Sequence, residues 1–550
     1  MTLDDTRYRR ALIALICLGA VLRLIGLDWD DGRGLHPDEG NLIRGALTLG
    51  VNGRMLPEFH AYNDLALWLP RLLSLPLCTP EDGACLTLIA RGLSAVMSVA
   101  LIPLGAGLAR ALAGGSDGAR LAGLATALVL ALSGALIQWA HFGTTESAIA
   151  LNVVLLWWLA MRWQTGRLSD VDFALWSAAA LGIGFGFKTT AAVVSVIPLA
   201  AFALAGRPDA ARAKLFALFA GVATIQALIF APSVVFDTQG WLDVMAFENG
   251  VVTGSVPVFW TAQFEGARNV LFEVAQLWSL TVGAGLVLAL LGLALAARHH
   301  WRIALPGLVF LVVYATLTFG WHAKFVRYLA PVLPVLLIFA GVATGRLLVQ
   351  RRSQTARMAS AAALGLMVLA GVDSASAYLR ADPRIAMEDL LDTRAAPGDL
   401  VAIEPRDLPQ TGAHQTITLP LNRADVSPAD LAGPLARAEW LIIASRRNWQ
   451  VLPRQPGAST VLCAYYAGLA DRSLGYVAVA RTDRLGLFGR LFHAGLAAEE
   501  TRHVFDRPEV FLLRNIAHFT ADDLAQRLSA PEHDTDCTPT TLQTSWRSGP

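Results

Sequence analysis

Long apolar runs closed by Arg, Gly or Pro recur from residue 10 to about residue 378. A helix needs about 20 apolar residues to cross the hydrocarbon core of a bilayer, and these runs lack the period-two alternation of barrel strands. They predict membrane helices over 10–27, 86–112, 119–138, 146–163, 172–187, 189–205, 213–233, 272–297, 303–320, 327–348 and 357–378, about eleven in all. Past residue 380 the pattern changes. Short runs such as Leu400-Val401-Ala402-Ile403, Trp440-Leu441-Ile442-Ile443-Ala444, Gly475-Tyr476-Val477-Ala478-Val479 and Val510-Phe511-Leu512-Leu513 are separated by turns rich in Pro, Gly and Asp. These predict strands of a soluble α/β domain. The expected fold is a polytopic α-helical membrane protein: residues 1–379 hold the helices with long outer loops over 28–85 and 236–270, and residues 380–550 form the soluble part. The polar stretch after Ser529 has the composition of a disordered tail.

Composition agrees. The chain is 55% hydrophobic and 16% charged, and its mean hydropathy is +0.49. A soluble protein of 550 residues cannot bury that much apolar surface. Formal net charge is +1 and there is no basic run, which excludes a nucleic-acid partner. The first apolar run contains Arg23 and lacks a small-residue cleavage site, so it is expected to stay as a helix. With a cytoplasmic N-terminus, the inner connections carry Arg7, Arg9, Arg10, Arg110, Arg120, Arg162, Arg167, Arg207, Arg212, Lys214, Arg298, Arg302, Arg346, Arg351, Arg352 and Arg357. The outer loops are longer and poorer in cations, so the positive-inside bias places 28–85, 236–270 and 380–550 outside the cytoplasm. In an oxidising compartment Cys78 and Cys85 have the option of pairing, which the sequence leaves open.

The most chemically loaded short motif is His36-Pro37-Asp38-Glu39, in the first outer loop. Pro37 followed by Leu42, Ile43, Ala46, Leu47 and Leu49 at helical spacing predicts an amphipathic helix lying on the membrane surface. Asp38 and Glu39 fall in its first turn, where the helix dipole favours ionised carboxylates. The bland alternative is that acidic residues simply suit a helix start.

A His-Pro-Asp-Glu sequence directly after a helix ending Leu22-Arg23-Leu24-Ile25-Gly26-Leu27 resembles the acidic motif of bacterial GT-C glycosyltransferases, the family that includes protein O-mannosyltransferases and aminoarabinose transferases. Pro57-Glu58-Phe59-His60-Ala61-Tyr62 is similar to that family's Pro-x-Phe-x-x-Tyr stretch, although Asn63 stands where a Pro often follows. His141-Phe142-Gly143-Thr144-Thr145-Glu146 resembles its second acidic motif, with Glu146 where Asp is usual. Gly186-Phe187-Lys188-Thr189-Thr190 matches its lysine position, and Arg327-Tyr328-Leu329-Ala330-Pro331-Val332-Leu333-Pro334 matches its Arg-Tyr-x-x-Pro-x-x-Pro helix. Phe505-Asp506-Arg507-Pro508-Glu509-Val510-Phe511-Leu512-Leu513-Arg514 is similar to the closing strand of bacterial members, so the resemblance spans residues 10 to 515.

The resemblance implies an enzyme of a bacterial inner membrane that moves a sugar from a polyprenyl-phosphate donor to an acceptor on the extracytoplasmic face. The acceptor class, protein, lipid or glycan, stays open. A lipid phosphate leaves without protonation if its charge is stabilised, so the site needs a base and cations. Asp38 is the expected base that activates the acceptor hydroxyl, which then attacks in line with inversion, and Glu39 is a second catalytic candidate. Glu146, His36 and His141 are candidates for orienting the acceptor or holding a divalent cation, which is left undecided because no His/Cys ligand spacing supports a dedicated site. His36 equally suits shaping the motif, and His141 capping a helix. Lys188, Lys324, Arg327 and Arg44 are the candidates for the lipid phosphate, with snorkelling to the headgroups as the plain alternative. The loop from Phe247-Glu248-Asn249-Gly250 to Phe264 looks like a mobile substrate loop by the same resemblance, and from its residues alone it is a long outer loop. The rival readings are a transporter or flippase of a lipid-linked sugar, which would place ionisable groups near mid-bilayer, and a non-catalytic scaffold. A reporter active only outside the cytoplasm, fused within 380–550, is expected to be active, and cytoplasmic signal overturns the topology.

Overall fold

A computed structural model describes residues 4–529, apart from 115–116, 205, 207, 259, 262–266, 351–352, 422–424, 455–459 and 493–497. Arg207, Phe264, Arg351, Arg352 and the stretch after Ser529 therefore lie outside the described residues. The chain runs through α1 (Asp5–Leu24), α2 (Pro37–Leu47), α3 (Asp64–Ser74), α4 (Gly83–Ala113), α5 (Asp117–Ala131), α6 (Gly134–Ala140), α7 (Glu146–Gln164) and α8 (Asp170–Phe187). A 3-10 turn over Thr189–Ser195 leads to α9 (Val196–Leu204), α10 (Asp209–Phe230), α11 (Ser233–Phe236), α12 (Thr238–Thr253), α13 (Asn269–Leu280), α14 (Ala284–Thr318), α15 (Leu333–Leu348) and α16 (Gln354–Ala377).

The predicted membrane segments fall on helices. Among the described residues, α4, α8, α10, α14 and α16 are long and apolar enough to cross a membrane, up to six spans if α5 and α6, bent by 53°, form one broken span. The chain is a polytopic helical membrane protein. The expected count near eleven is not met by length and composition. Segments 189–205 and 327–348 become apolar helices of shorter length, and 303–320 joins most of 272–297 in a single run, α14, interrupted by non-helical backbone at His300. In loop 28–85 the helix expected from Pro37 is α2, whereas α3 in the same loop and α12 in 236–270 were not expected.

Two arginines sit fully buried in the apolar helices α1 and α4, and each is there because its donors are used. Bending between α5 and α6 leaves the carbonyls of Leu130 and Ala131 without helical partners. Arg23 donates to both, at 2.8 and 3.0 Å, and through Nε to Ser98 Oγ at 2.8 Å. Arg91 serves the functional site described below.

The C-terminal region carries α17 (Pro383–Arg394), β1 (Leu400–Ile403), β2 (Gln415–Thr418), α18 (Pro428–Arg437), β3 (Trp440–Ile443), α19 (Arg446–Val451), α20 (Thr460–Ala470), β4 (Tyr476–Thr482), α21 (Gly489–Phe492), β5 (Val510–Asn515) and α22 (Ala521–Ser529). The sheet order is β2-β1-β3-β5-β4, with β1 parallel to β2 and β3, and β5 antiparallel to β3 and β4. All four runs predicted as strands are strands. Polar β2, Gln-Thr-Ile-Thr at the sheet edge, was not predicted because one apolar residue in four gives no period-two signal. Val504 and Phe505 of this region belong to the same apolar cluster as the membrane helices, so the two parts share a core. Cys78 and Cys85 form a disulfide at the start of α4, with Cα atoms 5.9 Å apart.

Close helix packing rests on small residues. A Cβ on Gly292 of α14 would lie 1.8 Å from the carbonyl oxygen of Phe339 on α15, whereas one on Gly365 of α16 would meet nothing within 4 Å. Gly292→Ala is expected to cost about 1–3 kcal/mol and to lower the thermal midpoint in detergent. Gly365→Ala should leave it unchanged; equal midpoints for both would contradict this helix contact.

Candidate functional site

The site is built from the first turn of α2. Pro37 occupies N1, and His36 caps the helix through Nδ1, which accepts from the Glu39 amide at 3.3 Å. Glu39 then turns inward, buried, where Arg91 donates to it through Nε (2.9 Å) and Nη2 (2.7 Å) and the Gly143 amide donates at 2.5 Å. Arg91 also donates to both Asp30 oxygens at 2.9 Å and to the Leu27 carbonyl, with Trp29 4.6 Å from its guanidinium. Asp30 accepts from the Leu35 amide at 2.9 Å. One cation and two carboxylates, all dry and fully hydrogen-bonded, thus fix the loop before α2 and the helix start.

With Glu39 held inside, the neighbouring Asp38 faces outward into a cavity of about 330 Å³ and pairs with Arg327. Both side chains keep 24% of their surface exposed. The cavity is also lined by Tyr62, Glu146, Lys188, Glu248 and Tyr328. Glu146 is the first residue of α7, and Lys188 ends α8 with its ammonium 5.3 Å from the Tyr62 ring centre. Motifs separated by almost 300 residues therefore meet at one end of the helix bundle. Burial alone would raise the Asp38 carboxyl, but Arg327, helped by His36 and Arg447, holds it below the usual carboxylate range. Burial raises the Glu248 carboxyl, and the more distant Arg327 and Lys188 offset this only in part. Two carboxylates in one cavity are thereby pushed in opposite directions.

The C-terminal region reaches this site. Glu499 accepts from the Val326 amide at 2.9 Å and so holds the segment that carries Arg327. Thr501 and Phe505 line a small cleft with His36, Asp38 and Arg327, and Arg447 is held nearby by Glu500 at 2.7 Å.

Of the predicted residues, Asp38, Glu146, Lys188 and Arg327 line the cavity; Glu39, His36, His141, Lys324 and Arg44 do not. Glu39 is spent on Arg91. His36 lies between Phe142 and Phe505, with ring centres 4.4 and 4.1 Å away. His141 has its ring nitrogens 2.8 and 2.9 Å from the Ile137 and Ile25 carbonyls and stacks on Tyr378 at 3.6 Å. Lys324 bonds the Trp321 carbonyl, and Arg44 is exposed and donates to Asn41. Among the described residues no group of three His, Cys, Asp or Glu side chains is placed to hold a metal ion, so Asp38, Glu39 and Glu146 do not form one. Glu248, and the Arg91–Asp30 pair, were not singled out by the sequence. An arginine inside an otherwise apolar span was the available signal for Arg91; for Glu248 it was membership of the outer loop that begins Phe247-Glu248-Asn249-Gly250.

Fold and site together define a polytopic helical membrane protein with a mixed-charge pocket at one end of its bundle. The solved structures it is similar to are GT-C glycosyltransferases. The aminoarabinose transferase ArnT of Cupriavidus metallidurans bound to undecaprenyl phosphate is 15% identical over 92% of this chain and 98% of its own, with a TM-score of 0.46. Its apo form is 14% identical over 94% and 98%, with a TM-score of 0.48. The oligosaccharyltransferase AglB of Archaeoglobus fulgidus, with an inhibitory peptide and a dolichol-phosphate, is 10% identical over 84% and 72%, with a TM-score of 0.49. No family model matches the chain, and no curated protein matches it by sequence.

Arg91→Met would leave Asp30 and Glu39 buried without their cation, a loss of about 3–5 kcal/mol. It is expected to lower the unfolding temperature followed by Trp fluorescence, and Asp30→Asn/Glu39→Gln/Arg91→Met to regain part of it. An unchanged single variant would show that the triad does not set the loop.

Proposed function

We propose that the protein is a membrane glycosyltransferase that passes a sugar from a polyprenyl-phosphate donor to an acceptor hydroxyl on the extracytoplasmic face. The observation that carries this reading is the Asp38–Arg327 pair facing a cavity that also holds Lys188. A base and two cations face one space large enough for a sugar at a membrane boundary, as the reaction requires. The disulfide between Cys78 and Cys85, at the same end of the bundle, supports an oxidising compartment on that side.

In this reading Asp38 takes the proton of the acceptor hydroxyl as its oxygen attacks the anomeric carbon. The bond from that carbon to the phosphate oxygen breaks, the electron pair leaves with the polyprenyl phosphate, and the anomeric configuration inverts. Lys188 and Arg327 stabilise the leaving phosphate. Arg327 has two roles in sequence: it pairs with Asp38 in the empty site, and a donor phosphate competes for it. That exchange raises the basicity of Asp38 only when the donor is present. Glu146 and Tyr62 position the acceptor, and Glu248 on α12 closes the far wall. Glu39 keeps a positioning role through Arg91. Among the described residues no group of three His, Cys, Asp or Glu side chains is placed to hold a metal ion, and no step is assigned to one.

Purified Asp38→Asn is expected to bind donor normally and to lose transfer by about 10²–10⁴-fold. Full turnover by this variant removes Asp38 from the role, and net movement of donor across the bilayer without transfer favours a flippase. Because Arg327 depresses the Asp38 pKa, the carboxylate stays ionised at neutral pH and kcat/KM should fall only below the usual carboxylate range. In Arg327→Gln that acidic limb should move to higher pH, and donor binding should weaken more than acceptor binding. A limb that stays in place contradicts the pair.

A further inference from the structure

A larger cavity, of about 840 Å³, lies apart from the Asp38 pocket and shares none of its lining residues. It is enclosed by α6, the turn between α13 and α14, the end of α16, and segments 481–492 and 502–509 of the C-terminal region. Four arginines face it, and three have their charge or donors committed. Arg481 pairs with Asp483 at 3.0 Å and Glu509 at 2.6 Å, and Arg507 with Asp506 at 3.3 Å. Arg484 donates to the carbonyls of Trp29, Arg380 and Asp506. Arg502 differs. Among the described residues it has no carboxylate partner, and its side chain makes one hydrogen bond, from Nη1 to Ser279 Oγ at 2.5 Å. Burial, and then the nearby Arg507, lower its pKa to about 10, so it is still a cation at neutral pH. A partly buried guanidinium beside a second cation, with donors open to a large cavity, is matched by an anion that brings several acceptor oxygens.

The rim says what kind of anion. Trp278, Leu487 and Leu491 are 54%, 64% and 71% exposed, although the last two belong to the C-terminal region. Their segment is fastened to the end of the spanning helix α16: the Leu487 amide donates to Ser376 Oγ at 2.9 Å and the Phe488 amide to Asp373 Oδ1 at 2.5 Å. Apolar side chains held uncovered at a membrane boundary belong among acyl chains.

We propose that this cavity docks the headgroup of an anionic glycerophospholipid from the adjoining leaflet, its phosphate on Arg502 and its acyl chains against Trp278, Leu487 and Leu491. The site would seat the C-terminal region on the membrane surface, independently of the transfer reaction.

The test uses the full-length protein, delipidated in neutral detergent, offered equal phosphatidylglycerol and phosphatidylcholine and then examined by native mass spectrometry. Phosphatidylglycerol should be retained about tenfold better than phosphatidylcholine, the scale of one charge-assisted pair. Arg502→Gln should abolish the preference, while Arg437→Gln on the exposed face of α18 keeps it. Leu487→Ser/Leu491→Ser alters only side chains already exposed and should lower retention of both lipids. Equal retention in the parent protein, or an Arg502→Gln variant that keeps the preference, overturns the proposal. Excess inorganic phosphate that displaces the lipid while the Leu487/Leu491 variant binds normally reassigns the site to free phosphate and also overturns it.

Discussion

A guanidinium in the middle of an apolar helix is unsustainable unless carboxylates and carbonyls take up its donors, and the arrangement of the first hundred residues follows from how Arg91 meets that demand. It draws Asp30 down from the start of the first outer loop and Glu39 in from the start of α2. Trp29 covers the guanidinium, and Gly143 adds its amide to Glu39. Because successive residues in the first turn of a helix point in different directions, burying Glu39 leaves Asp38 aimed at the cavity. The acidic half of the site is therefore an indirect product of a salt-bridge triad that never touches it.

The basic half has a different support. Arg327 sits in a short 3-10 turn, Val326–Leu329, too short to be rigid alone. Its amide neighbour Val326 is tied to Glu499, and the aromatic group of His36, Phe142 and Phe505 packs against the same cleft. Membrane helices thus hold the carboxylate, and the C-terminal region helps hold the cation that pairs with it. The Asp38–Arg327 contact is where two separately supported frames meet.

Much of this was legible in the sequence, for identifiable reasons. Helix positions follow from apolar runs, since the bilayer makes burial and helicity the same requirement. Asp38, Glu146, Lys188 and Arg327 were named on the resemblance of their motifs, with the cost of ionisable residues at membrane boundaries as added support, and all four line the cavity. Glu39 was placed beside Asp38 in function because adjacency in sequence hides a reversal in direction, which only the burial of Arg91 decides. His36 and His141 looked chemical, yet ring packing and backbone carbonyls account for both. Glu248 was named only as part of the outer loop that begins at Phe247, with no role of its own, because α12 has no strong periodicity and its place depends on tertiary packing. The expected count of about eleven is not confirmed: some of the expected segments form helices too short to cross by themselves, and others, such as α1 and α7, are long enough but too polar or charged to meet the same test.

The hydrogen bond from Val326 to Glu499 also bears on how such a chain can be divided. A fragment ending after α16 would keep Asp38, Glu146, Lys188 and Arg327, yet its 326–329 segment would lose the hydrogen bond to Glu499 and the packing of Thr501 and Phe505. Modular exchange of C-terminal regions between related proteins would then have to carry an acid equivalent to Glu499 along with the sheet. A boundary that appears natural in the sequence, where apolar helices give way to strands, cuts through a single functional unit.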